Sequence, residues 1–518
     1  MANKALFQSA RGAKAPAADT FNSAGGVAYT YSSRHALAQY AATGCLNSTF
    51  YSTAKEDLDR VIALSAQVET ELVAKTAIYA RERGFMKDMP AVLCAALSVL
   101  DAPMCTRVFN RVIDDGKMLR NFVQIVRSGA VGRKSLGSMP KRLVKGWLDK
   151  REDAAIFRAS VGNDPSLGDV IKLAHPKPQT KSREALYGYL LGKAHDASLL
   201  PDVVKDFEAF KAKTRKEVPD VPFQLLSGLN LGTKEWTAIA KNASWQTTRM
   251  NLNTFLRHGV FTDRKVVDLV AARLANKDEV RKARVFPYQL LMAYKAAGAD
   301  VPARITAALE QAMEHALYNV PAVDGKVIVL PDVSGSMQSP ATGYRKGSSS
   351  QVRCVDVAAL VAAAMLRKNR DCEVIPFEQQ VVKVRLNPND SVITNATRLA
   401  AVGGGGTNCS APLMELNKRR ERADLVIYVS DNESWVDSRG RGQSTATMEQ
   451  WEEFKKRNPR AKLVCIDIQP NKSTQAPDRD DILNVGGFSD AVFDVIAAFS
   501  NSGNDSAHWL RMIESIKL

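Results

Sequence analysis

The chain has 518 residues, more than one hydrophobic core organises, and its 45% hydrophobic content supplies material for at least two domains. No run of about 18 apolar residues occurs, and the opening MANKALFQSARGAKAPAADTF lacks a long apolar core, so a cytoplasmic protein with no export or membrane segment is expected. The 7 cysteines are odd in number, scattered and free of any Cys-x-x-Cys pair, which argues against a disulfide framework or a zinc ribbon and for reduced, packed thiols.

The net charge of +16 is unevenly spread. Residues 1–324 carry 46 Lys and Arg against 32 Asp and Glu, whereas residues 325–518 carry 25 against 23. Cation concentrated in one part of a chain points to a polyanionic partner, because Lys and Arg on phosphates release condensed counterions. A basic surface that serves solubility is the bland reading.

Residues 1–28 are rich in Ala, Gly and Ser and read as a mobile arm. Over 29–322 the pattern becomes helical. LDRVIALSAQVETELVAKTAIYARERGF, PAVLCAALSVL, MLRNFVQIVRSG and ARITAALEQAMEHAL place apolar residues at i, i+3 and i+4, broken by Gly, Pro or Asp. Short helix pairs of this kind predict stacked HEAT-like hairpins, although no clean sequence period marks the repeats. After PAVDG, near 322–326, the grammar changes. KVIVLPDV, CEVIPF, ADLVIYVSD and AKLVCIDI are short apolar runs separated by helical segments such as CVDVAALVAAAMLRKN. That alternation predicts a doubly wound α/β domain with a parallel sheet over 326–500, followed by a tail over 501–518.

In open parallel sheets, ligands sit outside the carboxyl ends of the strands. Asp332, Ser334 and Ser336 fall there after the first strand, in DVSGS, and Asp431 falls at the end of another, in VIYVSD. GGGGTN at 403–408 adds Thr407 ahead of a helix expected from about Ala411. These hard oxygen donors from three loops suit an octahedral divalent cation, Mg²⁺ being the natural choice. The rival readings are weaker. A nucleophile elbow reads Gly-x-Ser-x-Gly, which DVSGSM does not, and GGGGTN lacks the Lys of a phosphate-binding loop. Ser and Asp acting only as helix caps is the remaining bland option.

Together these residues resemble the metal-ion-dependent adhesion site of von Willebrand factor A domains, and each of Asp332, Ser334, Ser336, Thr407 and Asp431 matches it. FNSAGGVAYTYS (21–32), STFYS (48–52), IKLAHPKP (171–178), KARVFPYQLLMAYKAAG (282–298), GGTNCSAPL (405–413) and VSDNESW (429–435) extend the resemblance, in order, to the TROVE-domain proteins of the Ro 60 kDa autoantigen family. The resemblance implies a ring of helical repeats joined to the von Willebrand domain, acting without enzymatic turnover in non-coding RNA quality control. It implies Y-like RNA on the outer surface, the single-stranded 3′ ends of misfolded RNAs in the ring, an exoribonuclease among the partners, and a monomeric chain.

The candidate RNA contacts lie in the basic part. Arg133, Lys134, Lys141, Arg142 and Lys145 alternate with Gly, Ser and Pro, which leaves the backbone open to phosphates. His175 matches the family's Y RNA-binding position, with Lys172 and Lys177 beside it; read alone, a structural histidine fits as well. Arg158 joins them, although NDPSLGD stands where relatives carry further basic residues. Arg249, with Trp245 nearby, is a candidate for single strands, Trp245 reading more readily as core. The Ser/Gly-rich, basic stretch 338–351 lies beside the expected metal and suits a partner or is a neutral insertion. A reading from another class is a metal-dependent protein-interaction module whose basic helical region binds an acidic protein.

Overall fold

The computed structural model describes residues 15–44, 46–283, 285, 287–298, 300–317, 320, 322–344, 352–436, 443–487, 490–501 and 508–518. They form two compact units. One comprises Met1–Leu58, Phe286–Leu291 and Ala316–Ser515; the other comprises Asp59–Val285, Met292–His315 and Ile516–Leu518.

The first unit is built on a five-stranded parallel sheet. In chain order the strands of the unit are β1 (Thr20–Phe21), β2 (Val27–Thr30), β3 (Val327–Pro331), β4 (Cys372–Val374), β5 (Leu425–Ser430), β6 (Lys462–Asp467), β7 (Ser473–Thr474) and β8 (Ile482–Gly486). The large sheet runs β4-β3-β5-β6-β8. Every residue of β3, β5, β6 and β8 is buried, which is why these segments read as unbroken Val, Ile and Leu rather than as an alternation. On one face Trp451 and Phe454, from the helix Ala446–Arg457, pack with Ile328, Leu330, Val426 and Tyr428. The helix Cys354–Lys368, buried along nearly its whole length, packs against β3, β4 and β5. Because β3 has β4 on one side and β5 on the other, the strand order reverses at β3. The carboxyl end of β3 therefore opens into the crevice where such sheets take ligands.

The residues expected to form an arm over 1–28 are, from 15 onward, part of this unit. β1 and β2 pair antiparallel, and β2 continues onto β7 through Tyr29↔Thr474 and Thr30↔Ser473. The Ala- and Gly-rich composition hid this pairing, because two- and four-residue strands leave no periodic signal. The helix Ser33–Thr43 then packs on β8, where the His35 ring meets the Asn484 carbonyl at 3.1 Å. The expected tail contains the helix His508–Glu514, whose Trp509 and Ile513 are fully buried.

The second unit is helical. Among its described residues there is no strand, in agreement with the sequence pattern. The helices Thr70–Glu82, Asp88–Leu100 and Ala102–Val112 pack on one another in succession. Side-chain caps start such helices cleanly: the Asp101 carboxylate accepts from the Met104 amide at 2.9 Å ahead of Ala102–Val112, and Asp115 from Met118 at 2.8 Å ahead of the helix Gly116–Arg127. The six described cysteines are free thiols, five of them buried.

Candidate functional site

Asp332 follows β3 directly, and its neighbours fix it before any ligand arrives. Its amide donates to the Val429 carbonyl at 3.0 Å, and the next amide, of Val333, donates to Phe377 at 2.9 Å. The carboxylate is held on both oxygens, accepting from the Ser334 amide at 2.8 Å and from the Ser430 hydroxyl at 2.6 Å. The chain then turns so that the Ser334 and Ser336 hydroxyl oxygens lie 3.3 Å apart.

The glycine loop docks on this turn through its backbone. Gly335 donates to the Gly405 carbonyl and Gly404 to the Val333 carbonyl, both at 2.8 Å. Gly403 has φ +87°, and a Cβ there would stand 2.2 Å from the Val333 carbonyl oxygen. Only glycine permits that approach. The loop thereby delivers Thr407, whose carbonyl accepts from the Trp435 and Val436 amides at 3.1 Å each. Asp431, just past β5, is fixed through its own carbonyl by the Asn471 side chain, and its carboxylate accepts from the Glu433 amide at 3.4 Å.

The loops that carry all five residues expected to form the metal site thus meet beyond the end of β3, and each of the five is buried. Burial, then the charge of Asp431, pushes the Asp332 carboxyl up to about 7. Burial raises Asp431 as well, and burial followed by Asp431 takes Glu433 up to about 8. Among the described residues no ion pair from Lys or Arg reaches these three carboxylates. Buried acids without a countercharge are costly unless they are neutralised or bind a cation. The hydroxyl spacing agrees: two neighbouring ligands at about 2.1 Å from an octahedral Mg²⁺ stand roughly 3 Å apart. Three of the five donors, Ser334, Ser336 and Thr407, are hydroxyls and the other two are carboxylates, a set that suits a hard cation rather than zinc.

Two acidic residues missed by the sequence reading adjoin the site. Glu433 and Asp467 are buried, and each has one carboxylate oxygen without a hydrogen-bond partner. Glu433, two residues past Asp431, was the more legible of the two; Asp467 ends β6, and only the sheet order brings its charge to bear.

The basic candidates fall in the helical unit. Lys141, Arg142 and Lys145 lie on the helix Ser138–Asp149, which packs on the helix Leu167–Ala174 that carries Lys172. His175 caps that second helix in the left-handed conformation, φ +53°, and is exposed, as is Lys177. Lys134, Lys141, Arg142, Lys145 and Lys177 make no ion pair with the described residues, whereas Lys172 sits 3.7 Å from Asp169. Other candidates are committed within the fold. Arg133 donates to the Ser98 carbonyl at 2.9 Å, Arg158 pairs with Asp220 at 2.6 Å, and Arg249 donates to Gln246 at 2.9 Å. Arg249 lies on the helix Trp245–Met250, which packs on Arg264–Leu274 and Lys277–Ala283 and is separate in sequence from the other candidates. Trp245 is core: it is buried and its indole donates to the Leu274 carbonyl at 3.1 Å. Of the stretch 338–351, residues 345–351 lie outside the described residues.

A doubly wound sheet with hydroxyl and carboxylate side chains converging beyond β3, the glycine loop and β5 defines a von Willebrand factor A-type domain, here in one chain with a domain of helical hairpins. Residues 326–500 match the family model described as Ro60 vWA domain, and residues 233–306 the one described as TROVE domain. The chain is 25% identical to the RNA-binding protein RO60 of Deinococcus radiodurans over 92% of its own length and 94% of the relative's. It is 23% identical to the RNA-binding protein RO60 of Caenorhabditis elegans over 46% of this chain and 37% of that one. The crystal structure of the D. radiodurans RO (RSR) protein shares the fold, with a TM-score of 0.63 at 22% identity, covering 90% of this chain and 99% of that one. The chain is thus similar to TROVE-domain proteins that carry a Ro60-type von Willebrand factor A domain. No described helix is long and apolar enough to cross a membrane.

Proposed function

We propose that the protein binds RNA as a non-enzymatic factor of non-coding RNA quality control, holding a structured, Y-like RNA on its outer surface and the single-stranded 3′ ends of misfolded RNA in a basic ring cavity. The observation that carries this reading is the set of cations without an ion pair to the described residues on one helix, Lys141, Arg142 and Lys145, packed against the helix that carries Lys172 and ends in the exposed His175. The 46 Lys and Arg of residues 1–324 supply the wider field. The names of the two RO60 relatives point the same way. Ser334, Ser336, Thr407, Asp332 and Asp431 would hold Mg²⁺, which supplies the countercharge that their buried carboxylates need and braces the three loops. An exoribonuclease is the expected protein partner, the chain itself acting as a monomer in the cytoplasm.

Filter binding with a hairpin RNA carrying a single-stranded 3′ tail, at two salt concentrations, tests this reading. Tailed RNA is expected to bind more tightly than a blunt duplex, with a steep loss at higher salt. Equal binding with little salt dependence would leave the metal-dependent module with an acidic protein partner as the better reading. Metal-dependent RNA cleavage abolished by Ser334→Ala would overturn the non-enzymatic part.

A further inference from the structure

The helical unit holds a cleft of about 480 Å³ whose wall carries more cation than its acids can use. The start of the helix Gly116–Arg127, the helix Asp153–Ala159 and the Trp147 and Arg151 side chains frame it. Both acids of the wall are already committed. Asp114 accepts from the Arg81 guanidinium at 3.0 and 2.8 Å, and Asp115 pairs with Lys87 at 2.9 Å while capping its helix. The cations left over are Arg120, Arg151 and Lys117, and among the described residues none of them makes an ion pair. Arg120 is 7% exposed, yet with the described residues it makes one hydrogen bond, from Nη1 to the Ala159 carbonyl at 2.8 Å. A guanidinium set so deeply without a carboxylate is costly unless an anion completes it. Gly162 makes room for it: φ there is +111°, and a Cβ would stand 2.5 Å from Nη2. Arg151 lies over the Trp147 ring, 3.5 Å from its centroid, and donates to the Trp147 and Asp114 carbonyls at 3.0 and 3.1 Å, which fixes its fork without neutralising it. A second cleft, of about 540 Å³, shares Arg158 and Pro222 with the first. Val218, Phe223, Leu226 and Ile239 make its walls apolar, and Asn242 and Thr247 add polar groups. Both volumes fall in the range of about 300–1,000 Å³ common to small-ligand sites.

We propose that the adjoining clefts bind one nucleotide, its phosphate against Arg120, Arg151 and Lys117 and its base against the apolar walls around Phe223. Two guanidiniums and an ammonium match the charge and the oxygen geometry of a phosphate monoester. An apolar wall with an aromatic ring takes a base by its π face, whatever its identity. Of the RNA candidates only Arg158 borders the clefts, so the site is separate from the surface proposed around Lys141, Arg142 and Lys145. Two sources carry this chemistry, a free mononucleotide and the 5′-phosphorylated end of an RNA strand, and the second rests on the RNA reading.

Titration calorimetry on the full chain with uridine 5′-monophosphate, uridine and inorganic phosphate tests the site. One monophosphate is expected per chain, bound roughly tenfold or more tighter than uridine and tighter than inorganic phosphate. Arg120→Gln is expected to weaken the monophosphate roughly 10- to 100-fold, the loss of a charged hydrogen-bonded contact, and to leave uridine unchanged. Lys117→Ala, an exposed position, is expected to weaken it roughly two- to fivefold, and it keeps the test open should Arg120→Gln fail to fold. A wild type that binds no monophosphate would overturn the inference. So would a Lys117→Ala that binds as wild type does, alongside an Arg120→Gln that also does so or does not fold. A short oligouridine with and without a 5′-phosphate separates the sources: preference for the phosphorylated strand assigns the site to an RNA end, and equal binding of the two, with the monophosphate bound, assigns it to the free mononucleotide. Hairpin RNA that binds without salt dependence while the monophosphate still binds would strike the RNA-surface reading and leave this site standing.

Discussion

Replacing Lys141, Arg142 and Lys145 together by alanine removes three cations from one helix and touches no ion pair, so its effect on RNA is separable from its effect on folding. Lys141 and Lys145 are partly buried and Arg142 exposed, and the core face of the helix is carried by Leu143, Val144, Trp147 and Leu148. The melting temperature should therefore stay close to wild type, since surface substitutions of this kind change stability by about 0.5 kcal/mol or less each. Each phosphate contact on a duplex steepens the dependence of log affinity on log salt by about 0.9. Three lost contacts should flatten the slope by about 2.7, a difference of roughly 40-fold in the affinity change between about 50 and 200 mM salt. Filter binding of a hairpin RNA over that range reads the slope directly. A triple variant that binds as wild type does, with the same slope, would refute the placement of the phosphate-binding surface on this helix. Arg158→Ala should have a smaller effect than any of the three, because Arg158 must first leave Asp220.

Three further outcomes follow from the sheet unit. Asp431→Ala and Ser334→Ala should each abolish measurable Mn²⁺ binding by calorimetry while the parallel sheet remains by circular dichroism, because the strand hydrogen bonds do not pass through these side chains. Gly403→Ala should lower the stability of the unit by roughly 2–3 kcal/mol, about 5–10 °C in Tm, since it places a Cβ against the Val333 carbonyl in a backbone region that disfavours alanine. Asp481 supplies a pH dependence. Burial alone would raise its carboxyl, but Arg479, which donates to it at 2.8 Å, and then Lys455 and Trp451 hold it below the ordinary carboxylate range. Its contribution is complete above about pH 4, the unfolded value, and is lost as pH falls through the lowered folded value. Asp481→Asn should melt lower at pH 7, by roughly 1.5–3 kcal/mol for a charged hydrogen-bonded group, and should show a flatter fall in Tm below pH 5 than wild type.

Much of this protein was legible before any coordinates. The apolar runs VIVL, LVIYV and LVCI mark strands buried on both faces, and their alternation with helices fixes a parallel sheet, because the pattern records only which residues avoid water. The five side chains proposed to hold a cation could be singled out for a related reason: each follows a strand end or a glycine loop, and parallel sheets gather those ends at one edge. The N-terminal strands Thr20–Phe21 and Val27–Thr30 were not legible, because their partner Ser473–Thr474 lies more than 400 residues away and their length leaves no period.

The sequence by itself determined the two fold classes, the loops that carry the hydroxyl and carboxylate oxygens of the proposed cation site and the concentration of cation in the first 324 residues, since periodicity, turn chemistry and charge are local properties of a chain. Which cations remain free for a polyanion was decided only by tertiary structure. Lys141 and Arg158 are equivalent on paper, but packing sets Asp220 beside Arg158 and, among the described residues, no acidic partner beside Lys141. The same holds at the proposed metal site, where the fold, and no sequence spacing, sets the Ala24 amide 3.1 Å from the Glu433 carboxylate.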